Sequence, residues 1–392
     1  MLKRLFSLCL SLCLLVGPAS ATWSIVMVDM STGEVAVGTA TCLAGNIKRL
    51  VPVVVVGVGA GAAQSVVDTT GGNRQIIRDG LVAGQTPDEI LEELVFGAGT
   101  TPGMRQYGIS AMSGPSSTHT GGGAGLAKGG VVGQIGSIRY AIQGNLLANV
   151  DVLNECEWAV LNHNGDLSQR LMAGMRAAAR VGGDGRCSCN GVMPTSCGVP
   201  HGFDNSSLIA TAIVARIGDT DGPCFANGCA QGSYYLSVNI VATPQTTDDA
   251  VIRLQETYNV WRANRIGQPD HIESRASTTT DRLVADGKST TLVTVRLADL
   301  EGTPIEHGGA TVEVSSTNGL TDLGPVVDHG DGTYSFLVRA GATAGTEELV
   351  VTADGGVQKA TLYPHLNLEL VDPIQASKGP RTVRRTTARS SR

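Results

Sequence analysis

The sequence predicts an α+β domain followed by an all-β domain, on three observations. After residue 21 the chain runs strands first, helices in the middle and strands again from Leu208. The pattern then lapses over Asn264 to Ser277, around Gly267 and Pro269. Beyond it, residues 278–368 carry short alternating strands separated by Gly-rich turns, the spacing of a β-sandwich. A chain of 392 residues holds two or three domains at roughly 100–200 residues each. With 42% hydrophobic residues but only 4% aromatic, its cores must be built from Val, Ala, Leu and Ile, and 51 glycines supply tight turns.

The first element is a leader. Lys3 and Arg4 precede an apolar run from Leu5 to Val16, and Gly17-Pro18 leads to Ala19-Ser20-Ala21, a small-x-small cleavage site. Leu precedes both Cys9 and Cys13, where a lipoprotein site would need a small residue, so residues 1–21 read as a cleaved signal peptide. Residues 22–45 alternate on either side of Ser31-Thr32-Gly33, which predicts a β-hairpin. Val53 to Gln64 reads as one buried strand running into a Gly-Ala stretch. Thr86 as cap, Pro87 at the first helical position, Glu89 closing a capping box and Gly97 as stop mark a helix. Further strands are expected near Gln106–Met112, Ile138–Gln143, Leu208–Arg216 and Ser233–Val241. Helices are expected over Leu146–Asn162, over Leu167–Val181 behind Asp166, and over Asp248–Arg262 behind Thr246 or Thr247. The last would turn Ile252, Leu254, Tyr258 and Trp261 inward.

Net charge is −6 with the acidic residues spread along the chain, which offers no footprint for nucleic acid. After the leader no apolar run approaches the ~18 residues of a membrane span. Cleavage leaves Cys42, Cys156, Cys187, Cys189, Cys197, Cys224 and Cys229. In an exported chain these are expected to form disulfides, and the spacing lacks the paired Cys-x-x-Cys of structural zinc, even with His201 nearby. The five in 187–229 should pair mostly among themselves, the one left over should take Cys156, and Cys42 should stay a buried free thiol. No metal or cofactor is expected.

Cutting after Ala21 makes Thr22 the first residue. A Thr hydroxyl is a weak nucleophile, but a free α-amino group of pKa about 7.7–8.0 on the same residue can act as its base. The sequence TWSIVMVD, followed by Gln64, Arg74, Gly80-Leu81, Gly84-x-x-Pro87, Arg105-Gln106-Tyr107-Gly108, His119-Thr120-Gly121, Gln143-Gly144-Asn145-Leu146 and Gly182-Gly183-Asp184, resembles the bacterial family called domain of unknown function one thousand and twenty-eight. The resemblance covers about residues 22–264. It implies the four-layer αββα sandwich of N-terminal-nucleophile (Ntn) hydrolases, with a Cys-rich insertion at about 185–230, and brings no established substrate. ADGKSTTLVTVRLAD and HGDGTYSFLVRAG resemble the bacterial immunoglobulin-like (Ig-like) domains of invasin and intimin. The expected order is therefore leader 1–21, Ntn-hydrolase-like domain 22–264, linker 265–277, Ig-like sandwich 278–368 and a basic, disordered tail 369–392.

If Thr22 attacks a carbonyl, the developing oxyanion needs donors. The Gln143-Gly144-Asn145 step, at the end of a strand and the start of a helix, offers the Gly144 amide, the Asn145 side chain and a helix N-terminus; Asn145 could equally be the helix cap. His119 either orients the amine or is a hydrogen-bonded turn histidine. Asp184 with Arg186 is either an internal ion pair or a clamp for a charged substrate group, and Arg74 and Arg105 divide in the same way. Cys42 stands where many relatives carry a charged or bulky residue; as a thiol it is better suited to packing than to tuning the amine. Two functions follow. The first is an exported amide hydrolase acting through Thr22 on a small amide or short peptide. The second is a periplasmic, extracellular or cell-surface binding protein, with the sandwich docking an envelope or surface ligand.

Overall fold

The computed structural model describes residues 22–189, 205–242 and 248–376. The leader, Cys197, His201, Thr246, Thr247 and the tail from residue 377 lie outside the described residues. The chain divides into two units, one ending at Val260 and one beginning at Trp261.

In the first unit, β1 (Thr22–Asp29) and β2 (Glu34–Thr41) form the hairpin, turning at Gly33 in left-handed backbone. Four strands, β3 (Pro52–Val55), β4 (Gly59–Ser65), β5 (Arg105–Ala111) and β6 (Ser117–Thr120), make an antiparallel sheet in that order. Four more, β7 (Gly129–Ile135), β8 (Ile138–Asn145), β9 (Ile209–Ala215) and β10 (Leu236–Ile240), join the hairpin in a second antiparallel sheet, ordered β10-β9-β2-β1-β8-β7. The sheets face each other across a core that includes Val26, Val28, Val35, Val37, Val54, Ala60, Ala62 and Ile213. Helices α1 (Gly72–Val82) and α2 (Pro87–Phe96) cover the smaller sheet, and α3 (Asp151–Asn162) and α4 (Leu167–Arg180) cover the larger. The arrangement is the expected αββα sandwich. Burial of each Val, Leu or Ile side chain here is worth roughly 1.5–3 kcal/mol.

Thr86 caps α2 with the predicted capping box and Asp166 caps α4 as predicted, where Gln169 adds a box that was not expected. Four local expectations change. Val53 to Gln64 is two strands, because the chain reverses at Gly57 in left-handed backbone. Helix α1 was not expected; its only sequence mark is a stripe of Arg74, Ile77 and Leu81 behind a glycine pair. Helix α3 starts at Asp151 rather than Leu146, because Leu146 itself adopts φ +50° and Leu147 bridges to Asp184. Beyond α5, a single turn at Gly185–Ser188, the helix expected over Asp248–Arg262 is α6 (Ala250–Ala263). Asp249 accepts from Val251 N and Ile252 N at its start, and the buried stripe is Val251, Leu254 and Tyr258, leaving Ile252 60% exposed. Positions i, i+3 and i+7 define that stripe, and Ile252 lies about 100° off it.

Glu34 and Arg216 form a charged pair buried in this unit. Arg216 Nε donates to Glu34 Oε1 at 2.6 Å and its guanidinium lies over the Tyr235 ring, with side chains only 5% and 4% exposed. Burial pushes the Glu34 pKa up, more than the Arg216 charge and hydrogen bond pull it down.

The second unit is all β. Strands β11 (Arg275–Thr278), β13 (Thr290–Arg296), β17 (Thr333–Ala340) and β15 (Thr321–Leu323) form one sheet, with β16 (Val327–Asp328) paired to β17. Strands β12 (Arg282–Val284), β20 (Leu366–Val371), β18 (Gly345–Asp354) and β14 (Thr311–Ser316) form the other, with β19 (Lys359–Thr361) paired to β18. Alternation aims Tyr334, Phe336 and Val338 at Leu349, Val351 and Leu368 in the core between them. The stretch expected as linker contributes to this unit: Asp270, His271 and Ser274 are buried and β11 pairs with β13. Polar composition misled the reading there, because Asp270 spends its carboxylate on the backbone amides of Ile272 and Glu273.

Candidate active site at the start of β1

Strand alternation turns Thr22 and Ser24 toward the space between the sheets and Trp23 toward the helices. Thr22 is fully buried. Its register partner on β8 is Asn145, and its hydroxyl contacts Thr41 Oγ1 on β2 at 3.4 Å, long for a hydroxyl pair. From the smaller sheet, Gln64 Nε2 donates to Thr22 O at 2.9 Å and to Gln106 Oε1 at 2.8 Å, while Ser24 Oγ donates to Gln64 Oε1. Gln106 Nε2 in turn contacts Thr120 Oγ1, Gly129 O and Gly144 O at 2.8–3.0 Å. The two buried amides tie the first residue of β1 and the end of β8 to the opposite sheet.

Asn145 is fully buried and its Nδ2 donates to Ala124 O at 3.1 Å, with Ser65 Oγ at 3.5 Å. Ser65 and Leu146 both hold positive φ without being glycine, at 78° and 50°. Such backbone collects at sites whose surroundings enforce it. Asn145 does not cap α3, and no helix N-terminus stands at this position; Asn149 Oδ1 accepts from Asp151 N there instead. Gly144 gives its carbonyl to Gln106, and a Cβ on it would meet the Leu147 side chain at 2.8 Å, so a larger residue here would have to displace that side chain.

The other expected residues divide. Asp184 reaches the site: it is fully buried, pairs with Arg186 at 2.8 Å, accepts from Cys42 N at 2.6 Å and lies 3.4 Å from Thr41 Oγ1, which also receives Arg186 Nη2 at 3.2 Å. Of its two readings, the ion pair is the one present. Gln143 lies between the sheets opposite Ser24, fully buried, and its amide makes no hydrogen bond to a group among the described residues; its oxygen sits where a Cβ on Gly108 would fall, 1.8 Å away. His119 does not reach Thr22. It pairs with Tyr107, stacks on that ring at 6.0 Å and contacts Pro102 O, on the helix-covered face of the small sheet, the opposite side from Gln64 and Gln106. Arg74 donates to the carbonyls of Leu50, Asp68 and Ala226, which makes it a buried loop tie. Its pKa is lowered by burial. Arg105 contacts Thr101 Oγ1 and shares the Tyr107 side.

Sequence reasoning passed over Thr41, Gln106 and Ser24. The alternation that puts Ser24 and Gln64 in a core of valines was the available signal. A groove of about 960 Å³ between α3, α4 and α6, lined by Trp158, Arg176, Arg180, Ile252 and Glu256, contains none of the expected site residues.

The cysteines pair within the Cys-rich segment at Cys224–Cys229, as expected, but the roles expected of Cys42 and Cys156 are exchanged. Cys42 is joined to Cys187 with Cα atoms 5.6 Å apart, Cys224 to Cys229, and Cys156 is the buried free thiol. The Cys156 thiol instead packs against α4, close to Gly174. Burial raises the Cys156 pKa. Among the described residues no cluster of three or more His, Cys, Asp or Glu forms a metal site, and no helix is long and apolar enough to cross a membrane.

Residues 22–194 match the model of a family of unknown function, DUF1028, and residues 270–365 match the model of invasin domain 3. Among solved structures, a DUF1028 protein from Silicibacter pomeroyi is 19% identical, with a TM-score of 0.45 over 62% of this chain and 86% of its own. Invasin, a bacterial integrin-binding protein, is 20% identical at a TM-score of 0.23, over 42% of this chain and 25% of that one. The Yersinia pseudotuberculosis adhesin InvE is 28% identical at 0.22, over 26% of each chain. No curated protein matches the chain. Residues 22–194 of the first unit are thus similar to the DUF1028 family, and residues 270–365 of the second to the Ig-like domain 3 of invasin.

Proposed function

We propose that the first unit is an amide hydrolase of the Ntn type, with Thr22 as nucleophile once the chain is cut after Ala21. The observation that carries this reading is the position of Thr22: first on a central strand, its hydroxyl between two sheets, beside Thr41 and opposite Asn145. Thr22 Oγ adds to the substrate carbonyl carbon while the free amine takes the hydroxyl proton. The amine then passes that proton to the leaving nitrogen as the C–N bond breaks. Water hydrolyses the resulting ester and restores Thr22. Of the Asn145 Nδ2 contacts to Ala124 O and Ser65 Oγ, the 3.5 Å one to Ser65 is the weaker, and a developing oxyanion near Thr22 would replace it. Small amides and short peptides are the substrate class. An extracytoplasmic location fits the disulfides and the Ig-like domain.

The test is a comparison of the chain starting at Thr22 with one extended by a single Ala and with Thr22→Ala, against a library of acyl p-nitroanilides. Turnover by the native start alone supports the mechanism. Equal turnover by the extended form refutes it. The match of residues 270–365 to invasin domain 3 favours a second role, in which the sandwich docks the protein to an envelope or surface ligand. Retention of the separate sandwich on envelope preparations measures it.

A further inference from the structure

A short segment, Gly183–Cys187, runs past the start of β1 and is fastened on both sides of it. On the β8 side, Ala148 N donates to Gly183 O and Gly185 N to Leu146 O, each at 3.0 Å, and Asp184 bridges Leu147. On the β2 side, the Asp184 carboxylate takes Cys42 N and contacts Thr41 Oγ1, and Cys42 is bonded to Cys187. β8 and β2 are the two neighbours of β1. The segment also lies on the residue next to Thr22: a Cβ on Gly183, which sits at φ 51°, would come within 2.6 Å of the Trp23 ring.

We infer that this segment is a strap whose task is to position the start of β1. Asp184, Cys42 and Cys187 are its positioning residues, and Thr41 is the point at which it bears on Thr22. The physical reason is the order of contacts. The disulfide joins the residue after Thr41 to the residue after Arg186, so the Asp184–Arg186 pair is pressed against the Thr41 hydroxyl, and that hydroxyl is the one in contact with Thr22 Oγ1. A carboxylate with an arginine, a backbone amide and a hydroxyl around it holds its geometry without rearrangement when substrate enters. This rests on the nucleophile reading for its catalytic consequence, and on the contacts alone for the positioning.

The experiment uses the full chain starting at Thr22, with two readouts on the same samples. Hydrogen exchange measures the amides of Trp23, Ser24, Leu147, Ala148 and Gly183–Ser188, and intact mass measures the rate at which a β-lactone probe acylates Thr22. In the Cys42→Ser/Cys187→Ser pair, exchange at Trp23 and Ser24 is expected to rise at least tenfold together with the strap, while Cys224→Ser/Cys229→Ser leaves both unchanged. Acylation is expected to fall at least tenfold in that variant and in Thr41→Val, and to return in Thr41→Ser, which restores the hydroxyl; a purely packing role would favour Val equally. Unchanged exchange at Trp23 and Ser24 when the strap is cut overturns the inference, even where the native chain is acylated. A native chain that is never acylated, with the exchange still coupled, overturns the nucleophile reading and leaves the strap supported.

Discussion

Replacing Arg216 by Met should destabilise the first unit in a pH-dependent way. Arg216 Nε and Thr32 Oγ1 are the donors to the Glu34 carboxylate, at 2.6 and 3.0 Å, and both members of the ion pair are about 95% buried. Removing one partner of such a pair costs about 3–5 kcal/mol, because the other charge stays behind without compensation. Glu34 can escape part of that cost by taking a proton. Burial already holds its pKa up, the Asp166 charge adds to that, and Arg216 supplies the largest opposing effects. Without Arg216 the folded-state pKa rises further above the unfolded value. A carboxyl with a raised folded pKa binds more protons folded than unfolded between the two values. Its stabilising effect is therefore complete below the unfolded pKa of about 4.3 and disappears as pH climbs through the folded pKa, by at most ~1.4 kcal/mol per pH unit. The Met variant should lie closest to the native chain near about pH 5 and fall furthest behind near about pH 8. Urea unfolding followed by hydrogen exchange of β1 and β2 peptides measures this. Adding Glu34→Gln should recover part of the loss at the higher pH. A Met variant within about 1 kcal/mol of the native chain at that pH, or a deficit that does not change with pH, would refute the reasoning.

Gly108→Ala should cost about 1–3 kcal/mol, since the new methyl collides with the Gln143 amide, and Gly108→Ala/Gln143→Ala should be more stable than the single variant in thermal melts. Glu347 should govern the acid limit of the second unit. Burial works to raise its pKa, but hydrogen bonds from Asn318 N, Ser316 Oγ, Leu320 N and Glu348 N outweigh that and hold it below the ordinary value. Its contribution is present above the unfolded pKa and lost as pH falls through the folded one, so Glu347→Gln should flatten the acid limb of a stability-versus-pH curve. Cys156 should resist thiol reagents until the unit unfolds, as mass-resolved labelling along a urea gradient would show.

The fold was largely legible in the sequence because its signals are local. Thr86-Pro87-x-Glu89 and Asp166 mark helix starts by capping chemistry, and the alternation of TYSFLVRA marks which face of β17 is buried. What failed had two causes. At Val53–Gln64 the local reversal at Gly57 is hidden by apolar residues running on both sides of it, while Leu146 takes a left-handed backbone because Asp184 and its neighbours hold the turn from far along the sequence. The site shows the same division. Thr22 and Asn145 could be named from motif and position, whereas Thr41 is visible only through the register of β1 with β2. His119 sits near the right strands but on the wrong face, since one residue of register decides the side of a sheet.

The placing of β1 in the middle of the larger sheet has a consequence for how the chain folds. Its partnership with β2 closes early through a tight turn, but the other edge of β1 stays open until β8 has been made, and the far edge of β2 waits for β9. Until then this buried, largely apolar hairpin presents two unpaired edges, a template for pairing with other chains. Contacts of this sequence separation also form slowly. Refolding yield of the first unit should therefore depend steeply on protein concentration, and an agent that occupies strand edges should act on the nascent chain well before it acts on the finished one.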